Sequence, residues 1–350
     1  MKTYYNLWGD FAVKPWPDNE PVTKVAQSAL DAFLSHARNN VCNGDEAQYR
    51  WLIGFFGHLI QKPEEKPLVA IVLKGPKGSG KNSLIETVGY LLGNHFLVTS
   101  NRRYLVGSFN GHLERLLFFC LDEAFWSGDK QAEGILKDMI TGKEHVIEHK
   151  GKEPYTVNNL CRVAILGNED WIVPASHDER RFFVLEVGDG RKQDNDFFQT
   201  MREGMEMGGY RLLLRFLKTY PLAGFNPNKP PRTGALLDQK HSSLPVEHEW
   251  WLESLGVGRL VCSDFGEGWP TRLSTERFRS ALARYAKERN VRSRIPNEKA
   301  LGKAIRKVLP QIDHKKNSGN AGYDYVLPPL ADCRAAWDKF IGHEEEWSVI

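Results

Sequence analysis

The apolar positions change their period along the chain. From 22 to 40 they recur at helical spacing (Val22, Val25, Ala29, Leu30, Phe33, Leu34, Ala37), and Asn39-Asn40 then reads as a stop. A second apolar segment, Tyr49 to Ile60, is long enough for another helix, and the stretch Pro63 to Pro67, with its Glu and Lys, breaks the pattern. The expectation for 1–65 is a linker and small helical region, a candidate for subunit association. From Leu68 the pattern shifts to short, continuous apolar runs: Leu68–Leu73, His95–Val98, Leu116–Leu121, Val163–Leu166 and Phe182–Val187. Runs of that kind are strands buried on both faces. Helical stretches such as Ser83–Leu92 and Gln131–Ile140 lie between them, which predicts an α/β fold with a central parallel sheet over 66–220.

Pro221, Pro227, Pro230 and Pro231 then suggest a Pro-rich linker over 221–244. The last region, 245–350, has helical patterning at Thr275–Arg289 and Asn297–Leu309, then a polar Gly/Asn turn and a strand at Tyr323–Leu327. Its composition matters more than its pattern. Between Arg272 and Lys316 there are fourteen Lys or Arg against four Asp or Glu, a local net charge of +10, whereas the whole chain carries only +3. Two helices followed by a β segment suggest a basic winged-helix-like α+β module. The charge suggests a nucleic-acid surface, and a solvated basic domain is the competing reading.

Other features narrow the class. The five cysteines (Cys42, Cys120, Cys161, Cys262, Cys333) are scattered without a C-x-x-C pair, as expected of buried thiols in a reducing cytoplasm rather than of a zinc site or a disulfide framework. No apolar run approaches the ~20 residues of a membrane span. Two Trp and three Tyr or Phe precede any regular periodicity, which reads as the interior of a longer protein given a new start.

The chemistry begins at GPKGSGKNSL. Gly75, Pro76, Lys77, Gly78, Ser79, Gly80 and Lys81 fit a phosphate-binding loop, in which glycines let backbone N–H groups face a phosphate and the lysine reaches the terminal phosphates. The loop follows a strand and opens a helix, as the motif requires. Its usual next residue is Ser or Thr, which holds magnesium; here that place is Asn82, with Ser83 one position late. The carbonyl oxygen of Asn82 is a possible magnesium ligand, and Ser83 points ~100° further round the helix. Next, LLFFCLDEAF puts Asp122 and Glu123 at the end of a buried strand, 41 residues after Lys81. In hydrolytic phosphate-loop enzymes the aspartate holds magnesium and the glutamate polarises the attacking water.

Three further features follow in order. RVAILGN ends a strand at Asn168, where an amide can orient water and contact the γ-phosphate. SHDERRFFVLEV sets Arg180 and Arg181 before another strand, either as surface ion pairs or as an arginine finger for a neighbouring subunit's nucleotide. Between Asp122-Glu123 and Asn168, residues 144–149 and 154–157 read as a hairpin with Lys150-Gly151-Lys152 at its turn, a cationic tip suited to phosphate backbones.

In this order the motifs resemble the superfamily 3 helicases of viruses and phages, a branch of the AAA+ ATPases, and within them the helicase portion of phage primase-polymerases. YNLWGDF near the start, Pro63 and Pro67 before the first strand, GSGKN and DERRF carry the narrower likeness. The likeness covers about 5–190 and is only general beyond. It implies Lys81 as the phosphate lysine, Asp122 and Glu123 as the acidic motif, and Asn168 as the sensor. It makes Arg180 or Arg181 the finger and Lys150 and Lys152, with His149, the DNA contacts. ATP and Mg2+ would be the cofactors. The assembly implied is a ring, commonly a hexamer, on single-stranded or forked DNA in the host cytoplasm, with a primase-polymerase domain covalently linked. Two alternatives stay open: a DNA-holding ring or clamp for a polymerase with little unwinding, and, less favoured by the acidic pair, a phosphotransferase.

Overall fold

Each apolar run of the central region becomes a strand with its side chains divided between two cores. Ile71, Leu73, Phe118, Cys120, Ala164, Leu166, Phe183 and Leu185 enter one core, while Ala70, Val72, Phe119, Leu121, Val163, Ile165, Phe182 and Val184 enter the other. That alternation is the period of two of a pleated strand, with apolar residues on both sides because helices cover both faces. The structure is a computed structural model, and it describes residues 7–123, 129–291, 295–316 and 322–347. Tyr5 and Asn6 of YNLWGDF, Ala124 and Phe125 after the acidic pair, Arg292, Arg294 and most of the Gly/Asn turn at 317–322 lie outside the described residues.

The chain divides into two compact units: Met1–Pro174 with Arg180–Gln239, and Ala175–Glu179 with Lys240–Ile350. The first unit opens with α1 (Lys24–Ser35), a π-helical turn (His36–Val41), α2 (Glu46–Gln61), β1 (Ala70–Lys74), α3 (Lys81–Leu92) and β2 (Phe96–Thr99). There follow α4 (Arg103–Val106), β3 (Phe118–Asp122), α5 (Lys130–Thr141), β4 (Glu144–Ile147), β5 (Tyr155–Asn158), β6 (Arg162–Gly167), β7 (Phe182–Glu186), α6 (Asn195–Gly204) and α7 (Tyr210–Thr219). The stretch 221–244, expected as a linker, contains α8 (Gly234–Ser242), whose Ala235 joins the second core.

Five strands form a sheet in the order β2-β3-β6-β1-β7, and every neighbouring pair is parallel. β6 therefore lies between the strand that leads into the Gly75–Lys81 loop and the strand that ends at Asp122. The helices of 24–61 share the first core with α3, α6 and α7. One buried cation ties them to the sheet. Arg162, at the start of β6, is 1% exposed and donates to the carbonyls of Lys62 at 2.9 Å, Glu65 at 2.8 Å and Pro63 at 3.2 Å. Burial lowers its pKa to about 10, so it stays charged at neutral pH. Arg162→Leu is expected to cost about 3 kcal/mol, because those buried carbonyls lose a charged donor. The check is the melting temperature of the variant against the parent.

The second unit contains α9 (Val246–Val257), β8 (Arg272–Ser274), α10 (Thr275–Glu288), α11 (Glu298–Val308), β9 (Asp313–Lys316), β10 (Tyr323–Val326) and α12 (Leu330–Ile341). Its three strands form an antiparallel sheet in the order β8-β10-β9. Trp250, Trp251, Phe278, Tyr285 and Trp337 fill its interior. Among the described residues no helix is long and apolar enough to cross a membrane. Cys42, Cys120, Cys161 and Cys333 are buried and Cys262 is partly so, all as free thiols; burial pushes Cys161 up to about 12.

Candidate active site

The site is built at the C-terminal ends of three adjacent strands. β1 delivers the chain to Gly75, and the loop that follows turns into α3 at Gly80. Gly80 has φ +87°, a left-handed conformation that suits glycine, and a Cβ there would overlap the rings of Phe198 and His36. The helix then begins with Lys81, and its first-turn N–H groups point back into the loop, an arrangement that favours an anion.

Lys81 is 5% exposed. Its ammonium donates to the carbonyls of Gly75 at 2.6 Å and Pro76 at 2.8 Å, and to Oδ1 of Asn168 at 2.9 Å. Burial lowers its pKa, opposed by the negative charges of Asp122 and Glu123.

The tip of β3 supplies the acidic pair. Oδ2 of Asp122 accepts a hydrogen bond from Nδ2 of Asn82 at 2.7 Å. The structure thus pairs Asn82, rather than Ser83, with the aspartate. The Asn82 carbonyl oxygen remains the donor atom that a hard cation would take, and Ser83 follows in the same first turn of α3. Glu123 has φ +54°, unusual for a residue with a side chain and a conformation that costs about 1–3 kcal/mol. Its N–H donates to the Leu166 carbonyl at 3.0 Å, which turns the backbone toward β6. Its carboxylate accepts from Nδ2 of Asn168 and lies 3.9 Å from the Lys77 ammonium. The Asn168 amide therefore bridges Lys81 and Glu123, with its oxygen on the lysine and its nitrogen on the glutamate.

A second layer supports the loop, and the sequence pattern conceals it. The π-turn ends at Val41, one residue past the stop expected at Asn39-Asn40. The turn carries Asn40, 5% exposed, whose Nδ2 donates to the Ser79 carbonyl at 2.9 Å, and His36, whose Nε2 donates to the Gly80 carbonyl at 3.1 Å. Burial, the leading cause, lowers the His36 pKa and favours the neutral ring. Beyond β7, Gly188 donates to the Asn40 carbonyl at 2.8 Å and Gln193 to the Gly78 carbonyl at 3.0 Å. The available signal was the spacing Phe33, Ala37, Val41, which carries the helical period beyond the asparagines.

Arg180 and Arg181 lie elsewhere. Arg181 immediately precedes β7, and its carbonyl accepts from Ala70 at the start of β1. The pair thus enters the sheet at the end opposite the Gly75–Lys81 loop, about 16 Å away along the five residues of β1. They are not brought together with Lys81 of their own chain.

The hairpin β4-β5 is a separate two-stranded sheet. Lys150, Gly151 and Lys152 are exposed at its turn, with Gly151 at φ +75°. His149 sits lower, half-buried, stacked on Tyr155 and 3.5 Å from Glu114. Asn110 fastens the hairpin, donating to the Val146 carbonyl and accepting from the Glu148 N–H, both at 2.8 Å. At its base Lys66 donates to the carbonyls of Met139 at 2.7 Å and Gly142 at 3.1 Å, and burial lowers its pKa to about 8. Sequence reading missed Asn40, His36, Asn110 and Lys66, all of which act through contacts far along the chain.

Comparison with known proteins gives a family model, a relative and a fold. Residues 73–181 match a family model described only as a family of unknown function, DUF5906. Over 193 residues, 54% of this chain, the sequence is 26% identical to the DNA primase-polymerase of Nitratiruptor phage NrS-1. This chain resembles a phage primase-polymerase. The matched region is 26% of the NrS-1 protein, so the likeness concerns only part of it. Apo structures of the NrS-1 C-terminal region superpose with TM-scores of 0.62 and 0.65 at 17% and 18% identity. Each covers 90% of this chain, and this chain covers 77% and 79% of them. The NrS-1 C-terminal region and this chain thus share a fold.

Proposed function

We propose that the chain is the ATP-dependent, ring-forming DNA helicase domain of a phage replication protein, moving on single-stranded DNA beside a linked primase-polymerase domain. One observation carries this reading: the Asn168 amide joins Lys81 to Glu123, while Asn82 joins Asp122, at the ends of three neighbouring strands. The candidate binding, metal and water-activating groups are thereby linked at one edge of the sheet. A phosphotransferase does not require a glutamate held by a sensor amide.

In this reading the N–H groups of the loop and of the first turn of α3 bind the phosphates of ATP. Lys81 exchanges the carbonyls of Gly75 and Pro76 for phosphate oxygens. Asp122 and the Asn82 carbonyl fit Mg2+, which takes hard oxygens in small number and would neutralise charge on the β- and γ-phosphates. Among the described residues no three His, Cys, Asp or Glu side chains form a metal cluster, and Mg2+ commonly uses only one or two carboxylates. Glu123 takes a proton from the attacking water, with Asn168 fixing its carboxylate. Arg180 or Arg181 of a neighbouring subunit completes the charge stabilisation. Lys150 and Lys152 grip the DNA backbone.

The test is the variant Lys150→Ala/Lys152→Ala. Its DNA-free ATPase should equal that of the parent, while DNA-stimulated ATPase and strand separation should fall at least about tenfold, as expected for removal of two phosphate contacts. Unchanged unwinding would remove the hairpin from the mechanism. ATP-dependent DNA retention without strand separation, in parent protein, would favour a clamp.

A further inference from the structure

Several basic residues of the second unit are paired within it. Arg272 pairs with Asp324 at 2.7 Å, Arg284 with Asp264, Arg289 with Glu253 at 2.7 Å and Lys315 with Asp313 at 3.4 Å. Those charges are spent within the unit. Lys299, Lys303, Arg306 and Lys307 are exposed, and none makes an ion pair with a described residue. All four are on α11, at positions i, i+4, i+7 and i+8, and so share one face about 12 Å long.

The opposite face anchors the helix. Leu301, Gly302, Ile305 and Val308 are buried, and Asn297 caps the first turn. A Cβ on Gly302 would lie 2.5 Å from the Tyr325 hydroxyl, so α11 rests directly on β10. The cation row is therefore held on a rigid support. The sheet extends it: Lys316 is paired with Tyr323, two residues from Tyr325, and so lies on the same sheet face as α11. The Tyr323 ring is stacked against His314, with centroids 4.6 Å apart.

We propose that α11 and Lys316 form a second nucleic-acid site, separate from the Lys150–Lys152 hairpin, that binds the phosphate backbone of duplex DNA without reading its bases. The exposed positions of α11 are Glu298, Lys299, Ala300, Lys303, Arg306 and Lys307, with no aromatic among them, and the exposed Tyr323 ring beside Lys316 already has one face stacked against His314. Single-strand sites combine cations with aromatic platforms for unstacked bases, whereas a bare row of cations suits a stacked backbone. A protein partner fits less well, because lysine is depleted at the centre of protein interfaces.

The experiment uses the full chain without nucleotide, so its outcome does not depend on the ATPase reading. Lys299→Gln, Lys303→Gln, Arg306→Gln and Lys307→Gln are combined, and binding to a blunt duplex and to a single strand is measured across salt concentrations. The expected result is duplex binding at least tenfold weaker at low salt and a salt slope reduced by about 4, with single-strand binding changed less than twofold. A second variant, Lys299→Arg/Lys303→Arg/Lys307→Arg, should bind duplex like the parent, while the retained single-strand binding of the glutamine variant excludes loss by misfolding. Duplex affinity and slope equal to the parent's would overturn the proposal, and so would an equal loss on single strand and duplex.

Discussion

Glu123→Gln should bind ATP as tightly as the parent and hydrolyse it about 10²–10⁴-fold more slowly, the span expected for losing a positioned general base. The substitution suits the local geometry. Glutamine keeps an acceptor oxygen for Nδ2 of Asn168 and leaves the strained backbone at φ +54° unchanged, so the site retains its shape while losing the negative charge. Binding of a fluorescent ATP analogue and release of phosphate are the two measurements. Tight binding with slow release assigns Glu123 to the attacking water. A rate within about threefold of the parent would exclude it as the base. Loss of binding would mean that Glu123 acts mainly as the counter-charge of Lys81 and Lys77. The same variant also tests what moves DNA. Strand displacement should stop with hydrolysis in a helicase, whereas a clamp would hold DNA as before.

The sheet was legible because parallel strands covered on both sides leave an uninterrupted apolar record, and each predicted run lies within two residues of an observed strand. The residues of the candidate site could be grouped from the sequence because Asp122, Glu123 and Asn168 follow strand ends and Lys81 opens the helix after β1, so the chain itself carries them to one edge. What pattern alone left undecided was pairing across the chain. Asn82 was already the better candidate than Ser83 by its place on the helix, and the hydrogen bond to Asp122 adds a contact that spacing does not show. Asn40 was hidden for a related reason. A polar residue at a helix end reads as a stop, although here it is buried 39 positions away from the Ser79 carbonyl that it supports. Arg162 likewise looks like an ordinary strand boundary, and its role depends on carbonyls about 100 residues earlier. Contacts of that separation leave no periodic trace.

The arginine pair should act between subunits. β7 enters the sheet beside the start of β1, so Arg180 and Arg181 and the phosphate loop occupy opposite ends of the same five-residue strand pair. No rotamer spans that length, since an arginine side chain reaches only about half of the roughly 16 Å. Arg180→Ala/Arg181→Ala is therefore expected to retain ATP binding and lose about 10³-fold or more in hydrolysis, the magnitude of a missing arginine finger. Lys81→Ala should be inactive for a different reason, because it cannot hold the phosphates. Mixing the two inactive proteins separates cis from trans. An interface that joins the intact loop of one variant to the intact arginines of the other would regain activity. With random assembly about a quarter of the interfaces in a closed ring meet that condition. Recovery toward that fraction, with assembly confirmed by mass, places the finger in trans, and the two single arginine variants then show which residue serves. A mixture that assembles but stays inactive would remove the pair from catalysis, leaving them to hold the start of β7.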